Sequence, residues 1–248
     1  MKLNRTVERT IKMLELLSKE KNGLTVKEIT ETMKIPKTSA YDILETLAYM
    51  EILEKNIGEL NLYKIGIKSF QIGNSYSKTK EIFKIIDRPL QELAEKTGKT
   101  VFYGVENAGE IVYMSKHASE KTIITTAEIG STNPLYCTSL GKAILAFLPH
   151  EKLEKTLNMQ SFEKKTKYTL SKEELIGELS DIRARGYALD NREVEEHMLC
   201  IGAPIFNFKK EVVGSISISG LFSENRDIEF ESEELLKTSF EISRKLGY

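Results

Sequence analysis

The 248-residue sequence predicts an α+β protein built in two parts. Three observations predict it. Apolar residues recur at helical spacing through the first 50 positions, short alternating or apolar runs flank turn residues in both halves, and the chain turns polar between residues 66 and 80. The expected boundaries are 1–66 for a small N-terminal domain, 67–80 for a connecting helix or linker, and 81–248 for the larger domain.

The elements follow in order. Val7, Ile11, Leu14 and Leu17 mark one face of a first helix that ends by Asn22-Gly23. Thr25-Val-Lys-Glu28 has the form of a capping box, and Val26, Ile29 and Met33 give the second helix its apolar face. A break at Lys34-Ile35-Pro36 precedes a third helix, with Pro36 suited to its first turn and Ala40, Ile43, Leu44, Leu47 and Met50 as its buried stripe. Ile52–Lys55 and Leu60–Ile65 then flank Asn56-Ile57-Gly58-Glu59, which reads as a β-hairpin. Helix, helix, tight turn, helix, hairpin is the order of a winged helix-turn-helix.

In the larger part, Ile82, Ile85, Ile86, Leu90 and Leu93 predict a helix stopping at Gly98. Strands are expected at 101–105, 111–114, 122–126, 200–206 and 212–219. Further helices are expected at 140–148, after the cap Ser171-x-x-Glu174 as far as Arg185-Gly186, and at about 232–246. Hairpin connections make the sheet mainly antiparallel.

Composition excludes several classes. Hydrophobic residues are 40% and charged residues 29% of the chain, as in ordinary globular proteins. No apolar run approaches the ~20 residues of a membrane span, and the N-terminus is too polar and periodic for a signal peptide. Cys137 and Cys200 match no paired-cysteine framework, so a reducing cytoplasm is the expected location. The net charge of −1 conceals an asymmetry: residues 1–80 hold 14 Lys and Arg against 10 Asp and Glu. That sign suits a DNA-binding N-terminus.

The major groove of B-DNA admits one helix, whose N-terminal side chains meet the base edges. The exposed start of the third helix offers Lys37, Thr38, Ser39 and Tyr41 for this role. Arg5, Arg9, Lys27 and Lys34 are candidates for phosphate contacts, and Lys55 and Lys64 on the hairpin can reach an adjacent groove or phosphate. Against this, Asp42, Glu45 and Glu51 place carboxylates where phosphate repels them, and a protein-interaction winged helix has the same element order.

Residues 5–17, 23–29 and 35–39 (RTVERTIKMLELL, GLTVKEI and IPKTS) resemble the IclR family of transcription regulators. So do TGKTV at 97–101, LYCTSLGKA at 135–143, RGYALD at 185–190, CIGAPIF at 200–206 and SISISG at 215–220. The resemblance covers nearly the whole chain. It implies a GAF-like α/β sensor domain, a dimer or tetramer, double-stranded DNA with a near-palindromic operator as target, and a small, often carboxylate-bearing effector. Matched position by position, Ser139, Leu140, Asp190, Cys200, Ser217 and Ser219 fall where the family lines its effector pocket. One departure is Tyr41-Asp42, where family members often carry His-Arg.

The residues themselves speak less clearly. Ser217 and Ser219 share one strand face, and such a row meets solvent or lines a cavity, with solvent the plainer reading. Ser139-Leu140-Gly141 opens a helix whose free amides suit an anion, whereas Asp190 sits awkwardly beside one. Cys200 would need a base to act as a nucleophile. His197 three residues earlier should point the opposite way, so the thiol reads as pocket wall or core. Glu195-Glu196 and Glu233-Glu234 read as solvated faces. The three histidines and two cysteines have no metal-ligand spacing, and nothing calls for a cofactor or an enzymatic activity.

Overall fold

The computed structural model describes residues 3–56, 61–119 and 127–248. The chain divides into two compact units, Met1–Glu81 and Ile82–Tyr248.

The first unit begins with α1 (Arg5–Ser18), started by the Asn4 side chain, which accepts the amides of Thr6 and Val7. Strand β1 (Leu24–Thr25) leads into α2 (Val26–Met33) through the expected capping box: Thr25 Oγ1 accepts the Glu28 amide at 3.3 Å and Glu28 accepts the Thr25 amide at 2.8 Å. Lys34 ends α2 in the left-handed region, and Pro36 stands one residue before α3 (Lys37–Tyr49), as its N-cap. The hairpin β2 (Leu53–Asn56) and β3 (Leu62–Ile65) is antiparallel, and β1 adds to β3 to give the order β1-β3-β2. The hairpin tip falls at 57–60, outside the described residues. Met13, Leu17, Ile29, Leu44 and Tyr63 form the core these elements share. The polar stretch is α4 (Ile67–Thr79), which buries no residue and leaves Ile67, Phe70, Ile72 and Tyr76 exposed.

The second unit is one six-stranded sheet covered on both faces. Its order is β6-β5-β4-β9-β8-β7, every pairing antiparallel, with β4 (Thr100–Asn107), β5 (Glu110–Ala118), β6 (Thr132–Pro134), β7 (Ala188–Asn191), β8 (Met198–Phe206) and β9 (Val212–Leu221). The strand expected at 122–126 lies outside the described residues. One face, with Val101, Tyr103, Leu199, Ile201, Ile216 and Ile218, packs on α5 (Ile82–Thr97) and α9 (Ile228–Lys245). The other carries Phe102, Cys200, Gly202, Ser215 and Ser217 beneath α6 (Ser139–Leu145), with α8 (Lys172–Arg185) packed behind. A helix absent from the sequence reading, α7 (His150–Met159), buries only Thr156 and Leu157.

Two glycines position these layers. Gly186 ends α8 at φ +85°, a conformation that excludes most side chains. A Cβ on Gly202 would come 2.4 Å from the Ser139 carbonyl oxygen, so its absence lets α6 lie directly on β8.

Candidate functional site

On the first unit, α3 presents Lys37, Thr38 and Tyr41 as an exposed edge. Ser39 accepts a hydrogen bond from the Arg9 guanidinium at 3.2 Å, which ties α1 to the start of α3. Arg5 and Lys27 are exposed, the latter 4.0 Å from Glu31, and Lys64 is half-buried. Lys55 is different. Its ammonium lies 2.6 Å from Glu45, which also accepts the Tyr63 hydroxyl, so this lysine is engaged inside the fold. The same contact answers the objection raised by Glu45: Lys55 holds its carboxyl below the usual range and neutralises a negative charge on α3.

In the second unit a small, partly open cavity of about 50 Å³ lies against the sheet. All six strands contribute to its lining: Asn133, Tyr113, Phe102, Ser219, Cys200 together with Met198, and Asp190, in sheet order from β6 to β7. Cys200 stands directly opposite Ser219 on one side and Asp190 on the other. Val194 and Glu195, from the turn between β7 and β8, complete that end. The turn is anchored by Asp190, whose Oδ1 accepts the amides of Glu193 at 2.8 Å and Val194 at 3.4 Å.

Three of the expected effector residues, Asp190, Cys200 and Ser219, thus meet in one cavity. Ser139, Leu140 and Ser217 do not line it. They are buried where α6 meets the sheet, and Ser215 donates to the Leu140 carbonyl at 2.9 Å. The plainer reading of the serine row therefore fails: Ser217 and Ser219 are 1% and 6% exposed because α6 and the β7–β8 turn cover that face. The start of α6 is closed as well. Thr138 Oγ1 accepts the Gly141 amide at 3.0 Å and the Leu135 backbone packs against Gly141, which leaves no opening for an anion.

Beneath the pocket lies a charged cluster that the sequence reading missed. Lys142 is fully buried. Burial alone would lower its pKa, but Glu193 and Glu178 outweigh burial and hold it charged. It bonds both carboxylates, Glu178 at 2.8 Å, and Arg185 reaches Glu178 at 3.1 Å. Burial pushes Glu193 up to about 7, and Glu193 Oε2 has no hydrogen-bond partner. Burial also pushes Asp190 up to about 7. A lysine within the apolar run 135–148 was a visible signal; Glu193, in a run of charged residues, was not. Glu195 lines the cavity, and Glu234 is largely buried against Lys96 and Lys237. The solvated reading therefore fails for one member of each acidic pair: Glu196 and Glu233 do face solvent.

Cys200 has no catalytic setting. Burial, then Asp190, pushes its thiol up to about 12, so the thiolate is scarce near neutrality. His197 is exposed and faces Glu195 at 3.2 Å.

A model described as the IclR helix-turn-helix domain matches residues 6–56. A second, described as the C-terminal part of the bacterial transcriptional regulator IclR, matches residues 74–246. The chain belongs to the IclR family. Full-length IclR-family relatives include the regulator XynR of Escherichia coli, 30% identical over 100% of this chain and 99% of its own. KipR of Bacillus subtilis is 28% identical over 99% and 98%. Among solved structures, the Thermotoga maritima IclR protein superposes with a TM-score of 0.78 at 32% identity, covering 98% of this chain and 99% of its own. This IclR-family protein is accordingly a transcriptional regulator with a helix-turn-helix DNA-binding domain and a C-terminal effector-binding domain, and not an enzyme. No helix among the described residues is long and apolar enough to cross a membrane.

Proposed function

We propose that this regulator binds a near-palindromic operator as a dimer or tetramer, with α3 in the major groove and Lys37, Thr38, Ser39 and Tyr41 at the base edges. Arg5, Lys27 and Lys64 contact phosphate and set the register. The observation that carries this reading is the start of α3, where exposed Lys37, Thr38 and Tyr41 stand clear of the core on a helix braced by Arg9. The exposed apolar residues of α4 support self-association, since paired modules are what read half-sites about one helical turn apart.

The effector occupies the six-strand cavity. Its binding changes operator affinity only as far as it prefers one arrangement of the paired modules over another. A carboxylate effector, implied by the family resemblance, lacks the support expected at the start of α6, which is closed.

The test is a footprint on DNA upstream of the gene at two salt concentrations. Protection of a short near-palindrome that weakens at the higher salt is the expected result, because each phosphate contact releases counterions. No protection at either salt, there or on genome-wide fragments, would remove the operator reading.

A further inference from the structure

We propose that Asp42 reads a cytosine in each operator half-site, its carboxylate accepting a hydrogen bond from the N4 amino group of that base. This rests on the reading of α3 as the helix that enters the major groove, and it names one base pair that the helix selects.

Asp42 stands on the face of α3 that points away from the core of its unit. The buried stripe Ala40, Ile43, Leu44 and Leu47 fixes which side of the helix packs inward, and at helical spacing Thr38, Asp42 and Glu45 fall opposite it. Both flanks of that face are braced. On one, the Arg9 guanidinium bonds Ser39 at 3.2 Å. On the other, Lys55 of β2 pairs with Glu45 at 2.6 Å and lies 6.0 Å from the centre of the Tyr41 ring. Asp42 sits between these braces, exposed, one turn after Thr38.

Of the three carboxylates that count against DNA at α3, the fold disposes of two. Lys55 neutralises Glu45. Glu51 follows the helix, at the end remote from Lys37, where its backbone carbonyl accepts the Lys68 amide at 3.2 Å. Asp42 keeps its charge. Thr46 donates to its backbone carbonyl at 2.7 Å, but among the described residues its carboxylate has no hydrogen bond or ion pair.

An ionised carboxylate only accepts hydrogen bonds, so phosphate oxygens cannot satisfy it. In the major groove guanine shows two acceptors, and thymine an acceptor and a methyl group. Adenine offers its N6 amino group, but beside the acceptor N7, which repels the carboxylate. Cytosine presents a donor alone. A carboxylate held at the base edges therefore favours one base over the other three, and the contact is of the stronger, charge-assisted kind. A charge unfavourable to DNA in general becomes a means of discrimination.

The test is selection of binding sites from duplexes of random sequence by the full chain, unmodified and as Asp42→Ala and Asp42→Asn. The enriched duplex is then titrated beside one with a single base pair changed. The Asp42 side chain bonds nothing within its unit among the described residues, so both substitutions leave α3 intact. The unmodified chain should enrich a near-palindrome with cytosine at one fixed position of each half. Exchanging that C·G pair for T·A in one half should weaken binding about tenfold, the effect of one base-edge contact. Asp42→Ala should lose both the preference and the tenfold ratio. Asp42→Asn should turn the preference to adenine, whose N6 and N7 an amide meets together. Removing a negative charge tightens binding to every duplex, but that gain cancels between the two duplexes, so an Asp42 that merely repels DNA leaves their ratio unchanged.

A motif and ratio that Asp42→Ala does not alter, a change that involves no cytosine, or undiminished cytosine enrichment by Asp42→Asn each overturns the proposal. The footprint separates the two readings. Operator protection with a motif indifferent to Asp42 removes the cytosine contact and leaves the regulator standing, whereas no enriched near-palindrome and no protection removes both.

Discussion

Glu45 shows how a single contact alters the reading of a DNA-binding surface. A carboxylate on α3 argues against phosphate, yet here it is joined to Lys55 and Tyr63, so the charge expected to repel DNA and the charge expected to attract it cancel. Glu45→Gln should free Lys55. The slope of log affinity against log salt should then steepen by about 0.9 if that lysine gains one phosphate contact. An unchanged slope in a filter-binding series would place Lys55 outside the DNA interface. Lys142 makes the opposite case, a charge with no route to solvent. Lys142→Met would strand Glu193, leave Glu178 to Arg185 alone, and should destabilise the C-terminal unit by about 3–5 kcal/mol in urea unfolding. Replacing Glu193 and Glu178 by neutral residues in the same chain should recover part of that loss.

Among the elements, those legible in sequence were the ones whose start and stop signals are local. Both capping boxes, at Thr25 and Ser171, form with reciprocal bonds, and Gly186 ends its helix in the left-handed region. Ser171→Ala removes the oxygen that accepts the Glu174 amide and should cost about 1 kcal/mol in thermal unfolding; a loss below a few tenths would mean that solvent serves that amide equally well. The elements missed are those without local signals. Strand β7 has four residues and takes its place by pairing with β8. Strand β6 has three, and α7 has too narrow an apolar face to stand out. Helix α6 was anticipated, but its complete burial was not, because that depends on Gly202 and on small serines of β9 lying across from it.

For the molecule as a whole, the buried carboxylates predict a particular response to pH. Asp190 titrates near 7 in the folded protein against 3.8 as its ordinary value. Below about pH 4 both folded and unfolded chains hold the proton and burial carries no ionisation cost. As pH rises toward 7 the unfolded chain releases the proton first, so stability falls, and above 7 the full cost is reached. The unfolding free energy of the C-terminal unit should therefore decline between pH 4 and 7, and Asp190→Asn should flatten that decline. Parallel curves for the two proteins would mean that Asp190 ionises as easily folded as unfolded.

The sequence by itself determined the two-part organisation, the winged helix-turn-helix, the antiparallel sheet and the family, because periodicity, caps and motif blocks are properties of neighbours along the chain. It also pointed to Asp190, Cys200 and Ser219. Only the tertiary structure decided that these three share a cavity lined from all six strands, while Ser139, Leu140 and Ser217 close the layer beside it. It alone decided that Lys55 is spent on Glu45 and that Lys142 answers two carboxylates. The physical reason is common to all of these. Whether a polar group meets water, a partner or a ligand depends on which distant segments pack over it, and residues 142, 178 and 193 become neighbours only when α6, α8 and the β7–β8 turn are folded together.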